Sequence, residues 1–204
     1  MQYNKTKEGK LEELKQKNVD TGMGIERTLA VLNEKKSVYE TEVFAPIIKK
    51  LEKISNKKNL SENKSARIIS DHLKASTFIL SEKIVPSNVE RGYVLRRLIR
   101  RAVRHAILLG IKEKFCSEIA KEVIKLYSED YSELSRNKEF IINELEKEEE
   151  KFQKTLENGL KEFQKISKNK KKLSGKDSFL LYQSYGFPFE MISELAKEKN
   201  IEVS

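Results

Sequence analysis

Nine of the 41 basic residues are arginines, and six of those nine fall between Arg91 and Arg104, a stretch with no lysine. Guanidinium is planar, permanently charged and able to grip two oxygens of one phosphate, so this clustering suggests a phosphate-bearing partner. At 100° per residue, Arg96, Arg97, Arg100, Arg101 and Arg104 share one arc of a helix, opposite Leu95, Leu98, Ile99, Ala102, Ala106 and Leu109. The pattern predicts one packed face and one face presenting five guanidiniums to the backbone of RNA or DNA. Two other uses fit the same spacing: a solvated face, or arginines paired with the carboxylates of neighbouring acidic helices. Asn88 stands three residues before Arg91. Its amide can donate and accept, which suits the edge of a base; it can equally cap the helix.

A second chemical cluster is Val19-Asp20-Thr21-Gly22-Met23-Gly24-Ile25-Glu26-Arg27, which runs into the apolar Leu29, Val31 and Leu32. Glycines at the mouth of a helix allow close backbone approach, and the helix N-terminus offers unpaired N–H groups to an anion. Asp20 and Arg27 add opposite charges on either side of that mouth. A Gly-x-Gly at such a place can also be a plain turn. The remaining inventory is sparse: Cys116 is the only cysteine, and His72 and His105 the only histidines. That excludes a disulfide framework, argues against a Cys/His zinc site and supports no catalytic triad. Cys116 is expected as a core thiol, and His72 beside Asp71 as hydrogen-bonded structure.

These groups need a scaffold, and the periodicity makes it helical. With eight glycines and three prolines in 204 residues, helices dominate. A polar hairpin is expected over Met1–Asn4 and Leu11–Asp20 around Gly9. Helices are expected over Tyr39–Ile54, beginning near Ala45 because of Pro46, over Ser61–Ile79, and through the arginine segment to Gly110. Further helices are predicted over Lys112–Tyr127 and over a very long Tyr131–Ile166, with Ile141, Leu145, Phe152, Leu156 and Phe163 as a narrow seam. Glu146, Glu148, Glu149 and Glu150 read as its surface decoration. Lys168–Lys172 reads as a basic surface loop, Ser178–Tyr185 as a helix, and a last helix runs from the Gly186–Glu190 turn to near Asn200. Glu190, close to that helix's N-terminus, is favoured there by the macrodipole.

A net charge of +9 implies attraction to polyanions. No apolar run approaches the roughly 20 residues that cross a bilayer, and there is no signal-peptide core at the N-terminus. A soluble cytoplasmic protein with no membrane partner is expected.

Three stretches, Asn18–Arg27, Ala66–Phe78 and Pro86–His105, resemble the alanyl-tRNA synthetases in order and spacing. Leu173–Glu190, containing Leu181-Tyr182-Gln183-Ser184-Tyr185-Gly186-Phe187-Pro188-Phe189-Glu190, is similar to the same family, and the resemblance runs from Met1 to Ser204. It implies a mainly α fold, a helical tRNA-recognition bundle over 39–204 preceded by a short β-hairpin and the motif 3 remnant of a class II catalytic domain over 1–38. In that family Arg27 would be catalytic, contacting the ATP γ-phosphate, while Asp20 would hold the alanine ammonium. Gly22 and Gly24 would line the substrate site, with Mg²⁺ on the phosphates. The RNA partner would be the acceptor stem of tRNA(Ala), marked by a G·U pair at its third position. That pair exposes the guanine 2-amino group in the shallow minor groove. Asn88 and Glu190 match the two positions that read it, although the family often has Asp at the second, and Gln183-Ser184 stand where Asp-Thr is usual. Arg96, Arg97, Arg100, Arg101 and Arg104 would hold the stem backbone. Motifs 1 and 2 and the editing and C-terminal domains find no counterpart, so the chain is expected to be a fragment or a split-enzyme piece. It would be inactive without an N-terminal catalytic half, and would carry no metal site. A stand-alone helical RNA-binding module is the alternative.

Overall fold

The computed structural model describes residues 2–16, 22–168 and 170–203. A short antiparallel hairpin, β1 (Tyr3–Lys5) with β2 (Leu11–Glu13), turns at Gly9, whose φ of +86° suits glycine. Helix α1 (Ile25–Leu32) starts from Gly24. A 3₁₀ turn at Val38–Glu40 leads into α2 (Ala45–Ser55), with Pro46 in its first turn. Then come α3 (Lys64–Ser81), α4 (Glu90–Leu108) and α5 (Cys116–Tyr127). Helix α3 is capped by the Asn63 side chain, which accepts from the Ser65 and Ala66 amides, and it packs along α4 as the central pair. The core takes in Leu51 of α2, Leu73 and Leu80 of α3, Leu95 and Ile99 of α4, and Ile119 of α5, all fully buried.

Beyond Tyr127 the predicted single long helix is two. Helix α6 (Ser132–Arg136) is separated from α7 (Lys138–Ser167) at Asn137, whose side chain donates to the Ser81 carbonyl (2.8 Å) and ties the break to the end of α3. The predicted seam of Ile141, Leu145, Phe152, Leu156 and Phe163 is buried along α7. Two of the glutamates taken for surface decoration are buried with it. Glu149 accepts the amides of Phe115 (3.1 Å) and Cys116 (3.2 Å), supplying the start of α5 with the acceptor its own sequence lacks, while Glu148 faces α4. Helix α7 is thus a central member of the bundle, packed on α3, α4 and α5.

After α7, strand β3 (Lys172–Leu173) pairs in parallel with β4 (Glu202–Val203), a contact that the expected basic loop did not foresee. Between them lie α8 (Gly175–Tyr185), opened by a Ser174–Asp177 capping box, and α9 (Phe189–Glu198). The α8–α9 corner rests on two glycines. Gly186 takes φ +65° as the helix C-cap. A Cβ on Gly159 of α7 would stand 2.5 and 2.6 Å from ring atoms of Phe187, so only glycine lets that ring seat.

Candidate nucleic-acid interface

Helix α4 carries the arginines, and the loop before it is pressed onto its first turn. Ser87 N donates to the Gly92 carbonyl (3.0 Å), and a Cβ on Gly92 would overlap Ser87 Oγ and the Val85 carbonyl. This close approach sets Asn88 over the helix. Val89 occupies the N-cap position, and no side chain caps α4, so Asn88 does not act as a cap. Its Oδ1 accepts instead from Arg96 Nη1.

The expected face of five free guanidiniums is not what the chain builds. Arg100 and Arg104 are buried, at 6% and 3% exposure, and all five arginines donate to acceptors of the protein itself. Arg97 pairs with Glu190, Arg101 with Glu194 (2.5 Å), and Arg104 with Glu198 (2.6 Å) and Glu194 (3.3 Å). Glu190, Glu194 and Glu198 recur every four residues along α9, so one face of that helix meets the arginine face of α4. Arg100 turns the other way: its Nε donates to buried Glu148 (2.6 Å), its Nη1 to the Gly186 carbonyl, and its guanidinium lies over Phe152 (5.0 Å). Arg96 Nε sits 3.6 Å from the same Glu148 oxygen. Five guanidiniums face four carboxylates, Glu148, Glu190, Glu194 and Glu198, so the seam is mostly neutralised from within.

The seam nevertheless brings the two predicted base-reading residues together. Neighbouring arginines, Arg96 and Arg97, hold Asn88 and Glu190 respectively, and both of these side chains are exposed. Asn88 lines a groove of about 270 Å³ whose walls also include Tyr93, Arg96, Arg97, Lys151, Tyr182 and Gln183. A second hollow, of about 380 Å³, is lined by His72, Leu98, Arg101, Glu190 and Glu194. Arg27 and Gly24 lie elsewhere, at the exposed start of α1; Gly22 precedes them, and Asp20 lies outside the described residues. No α1 residue lines either hollow.

The family model for tRNA synthetases class II (A) matches residues 1–204. The chain belongs to that family. It is 49% identical over 210 residues to the alanine–tRNA ligase of Borrelia hermsii, covering all of this chain and 35% of that protein. Against the ligases of Prochlorococcus marinus and Thermotoga maritima it is 45% and 44% identical over 208 and 205 residues, covering 100% and 99% of the chain and 24% of each relative. The chain therefore spans about a quarter to a third of the length of these ligases.

In this synthetase-family chain the charged seam has consistent electrostatics. The His105 imidazole, with Nε2 3.9 Å away, and the Arg101 and Arg104 guanidiniums hold Glu194 far below the usual carboxylate range. Burial lowers Arg100 from its ordinary value, against the opposing pull of Glu148. Burial also raises the Tyr93 phenol at the groove wall. His72 is structural in its contacts, with Nδ1 3.1 Å from Asp71 and Nε2 2.9 Å from Arg101. Cys116 is a buried thiol pushed upward by burial. The residues missed from sequence are Glu148, Glu194, Tyr93 and Lys151; the four-residue spacing of Glu190, Glu194 and Glu198 was the available sign of the α4–α9 pairing. Among the described residues no group of three or more His, Cys, Asp or Glu is placed to hold a metal, and no helix is long and apolar enough to cross a membrane.

Proposed function

We propose that the chain is the acceptor-stem-reading piece of an alanine–tRNA ligase acting in the cytoplasm. Residues 39–204 form its recognition domain, and residues 1–38 the motif 3 end of its catalytic domain. The observation that carries this reading is the pairing of adjacent Arg96 and Arg97 with Asn88 and Glu190, which sets an amide at the wall of one hollow and a carboxylate at the wall of the next, with Arg97 lining both. Each supplies an oxygen acceptor, and the guanine 2-amino group of a G·U pair is a donor exposed in a shallow RNA minor groove. A glutamate in place of the more usual aspartate still offers that acceptor, and Arg97 fixes where it stands.

Backbone contact falls to exposed Lys151 and to the partly exposed guanidiniums of Arg97 and Arg101, while Arg96, mostly buried, holds Asn88. Arg100 and Arg104 serve as internal supports of the recognition surface rather than as phosphate grips, since burial withholds them from an RNA backbone. At the other end, Arg27 is assigned to the ATP γ-phosphate, with Asp20 on the alanine ammonium and Gly22 and Gly24 leaving room for substrate; a guanidinium offsets the triphosphate and a carboxylate partners an ammonium. Mg²⁺ would travel on the ATP phosphates.

The test is a competition between acceptor minihelices that differ only at the third base pair. The G·U stem should win over the G·C stem. Equal binding of both would remove the specific reading and leave the alternative, a helical RNA-binding module that grips any stem.

A further inference from the structure

Helix α1 is thinly attached. Of its eight residues only Ala30 is buried, while Ile25, Val31 and Leu32 are all more than two-thirds exposed. Among the described residues its one ion pair with the bundle runs from Glu26 Oε1 to Lys74 Nζ at 2.6 Å. That ammonium is held on other sides too: it lies 4.7 Å from the Phe44 ring centroid and 4.8 Å from that of Tyr127, with only 14% of the side chain exposed. A cation seated between two aromatic faces and a carboxylate is attracted by all three, and the partial exclusion of water strengthens each attraction. Lys74 in turn holds Glu26 below the usual carboxylate range. Two residues earlier on the same helix, His72 meets Arg101 of the charged seam (2.9 Å). Helix α3 therefore bears a tie to each end of the molecule.

We propose that Lys74 is a clamp that fixes α1 to α3, and so sets Arg27, the neighbour of Glu26, at a defined position relative to Asn88 and Glu190. Lys74 is a positioning residue; its importance to the reaction rests on the proposed role of Arg27 at ATP, while the clamp itself stands on geometry alone.

Amide hydrogen exchange on the full chain tests the clamp. Lys74→Met keeps the aliphatic stem and removes the charge; the α1 amides should then exchange roughly tenfold faster while α4 amides keep their rates. Lys74→Arg, which can pair with Glu26 and stack on the same rings, should restore α1 protection. Unchanged α1 exchange in Lys74→Met would overturn the clamp, as would equal acceleration in α1 and α4. In the whole ligase, Lys74→Met should raise KM for ATP in pyrophosphate exchange, with rescue by Lys74→Arg. Faster α1 exchange with unaltered ATP kinetics leaves the clamp standing and removes Arg27 from the proposed function.

Discussion

Arg100→Met separates a phosphate-gripping arginine from a buried support. In the folded chain the Arg100 and Glu148 side chains are 7% and 6% exposed, joined at 2.6 Å, and the same guanidinium donates to the Gly186 carbonyl. Removing one member of a buried pair strands the other, at a cost of about 3–5 kcal/mol. Arg96, with Nε 3.6 Å from the same oxygen, moves toward Glu148 and places the loss near the lower end. For a chain of this length each kcal/mol lowers Tm by about 2–4 °C, so a drop of roughly 6–12 °C is expected in a circular-dichroism melt. Adding Glu148→Leu should return part of the loss, because an apolar pair can replace a buried ion pair at little net cost, although the Gly186 carbonyl stays unsatisfied. RNA binding measured across salt concentrations gives the second readout. A lost phosphate contact would flatten the log–log salt slope by about 0.7–0.9. A buried support leaves the slope alone, but frees the Gly186 turn and with it Glu190, so the preference for a G·U stem falls. A slope reduced by about one with an unchanged Tm would refute the reasoning.

Asn88→Ala should cost about 1–3 kcal/mol of preference for a G·U over a G·C third pair, read by gel-shift competition, with little change in affinity for the G·C stem. Gly159→Ala drives a methyl into Phe187; overpacking costs about 1–3 kcal/mol, partly offset by the gain of about 1 kcal/mol in helix propensity, so a small net fall in thermal stability is expected despite a better helix former. The acid limb should report Glu194, whose folded pKa lies well below the ordinary value of 4.5. A carboxyl lowered by folding stabilises fully above its unfolded value and loses that contribution as pH falls below it, so Tm should hold down to about pH 5 and decline below, and Glu194→Gln should shallow that decline.

How much of this was legible before the fold is clearest at the arginines. Their arc on α4 follows from the helix repeat alone, as do the buried seam of α7, the start of α2 set by Pro46 and the end of α4 before Gly110. What periodicity cannot supply is the partner. Arg100 meets Glu148 across 48 residues and Arg104 meets Glu198 across 94, and a wheel drawn for one helix shows only that both faces are polar. The same blindness made Glu148 and Glu149 look like solvated charges, because lysines three or four residues away satisfy a local rule equally well. Glu149 is buried because the start of α5 needs its two oxygens, a demand created 33 residues upstream. The break at Asn137 and the two-residue β3–β4 ladder escaped for a related reason: each depends on a contact with a distant carbonyl or strand, Ser81 in one case and Glu202–Val203 in the other.

The internal pairing of the arginine face also bears on how the groove would read RNA. If Arg96 and Arg97 consumed the acceptors of Asn88 and Glu190, a guanine amine would have to break both bonds before making its own. The valences do not require this. A carboxylate offers about four lone-pair sites and an amide oxygen two, while Arg97 donates to Glu190 Oε1 and Arg96 takes one position on Asn88 Oδ1. The Oε2 atom and the second amide lone pair remain for a ligand. Freezing a flexible side chain on binding costs about 0.5–1.5 kcal/mol, and for these two residues the guanidiniums impose that ordering in the free protein. On the proposed reading the arginines would improve discrimination without contacting a base, by delivering two acceptors already aimed. On this argument Arg97→Ala lowers specificity for the third pair more than its single charge would lower affinity for a stem.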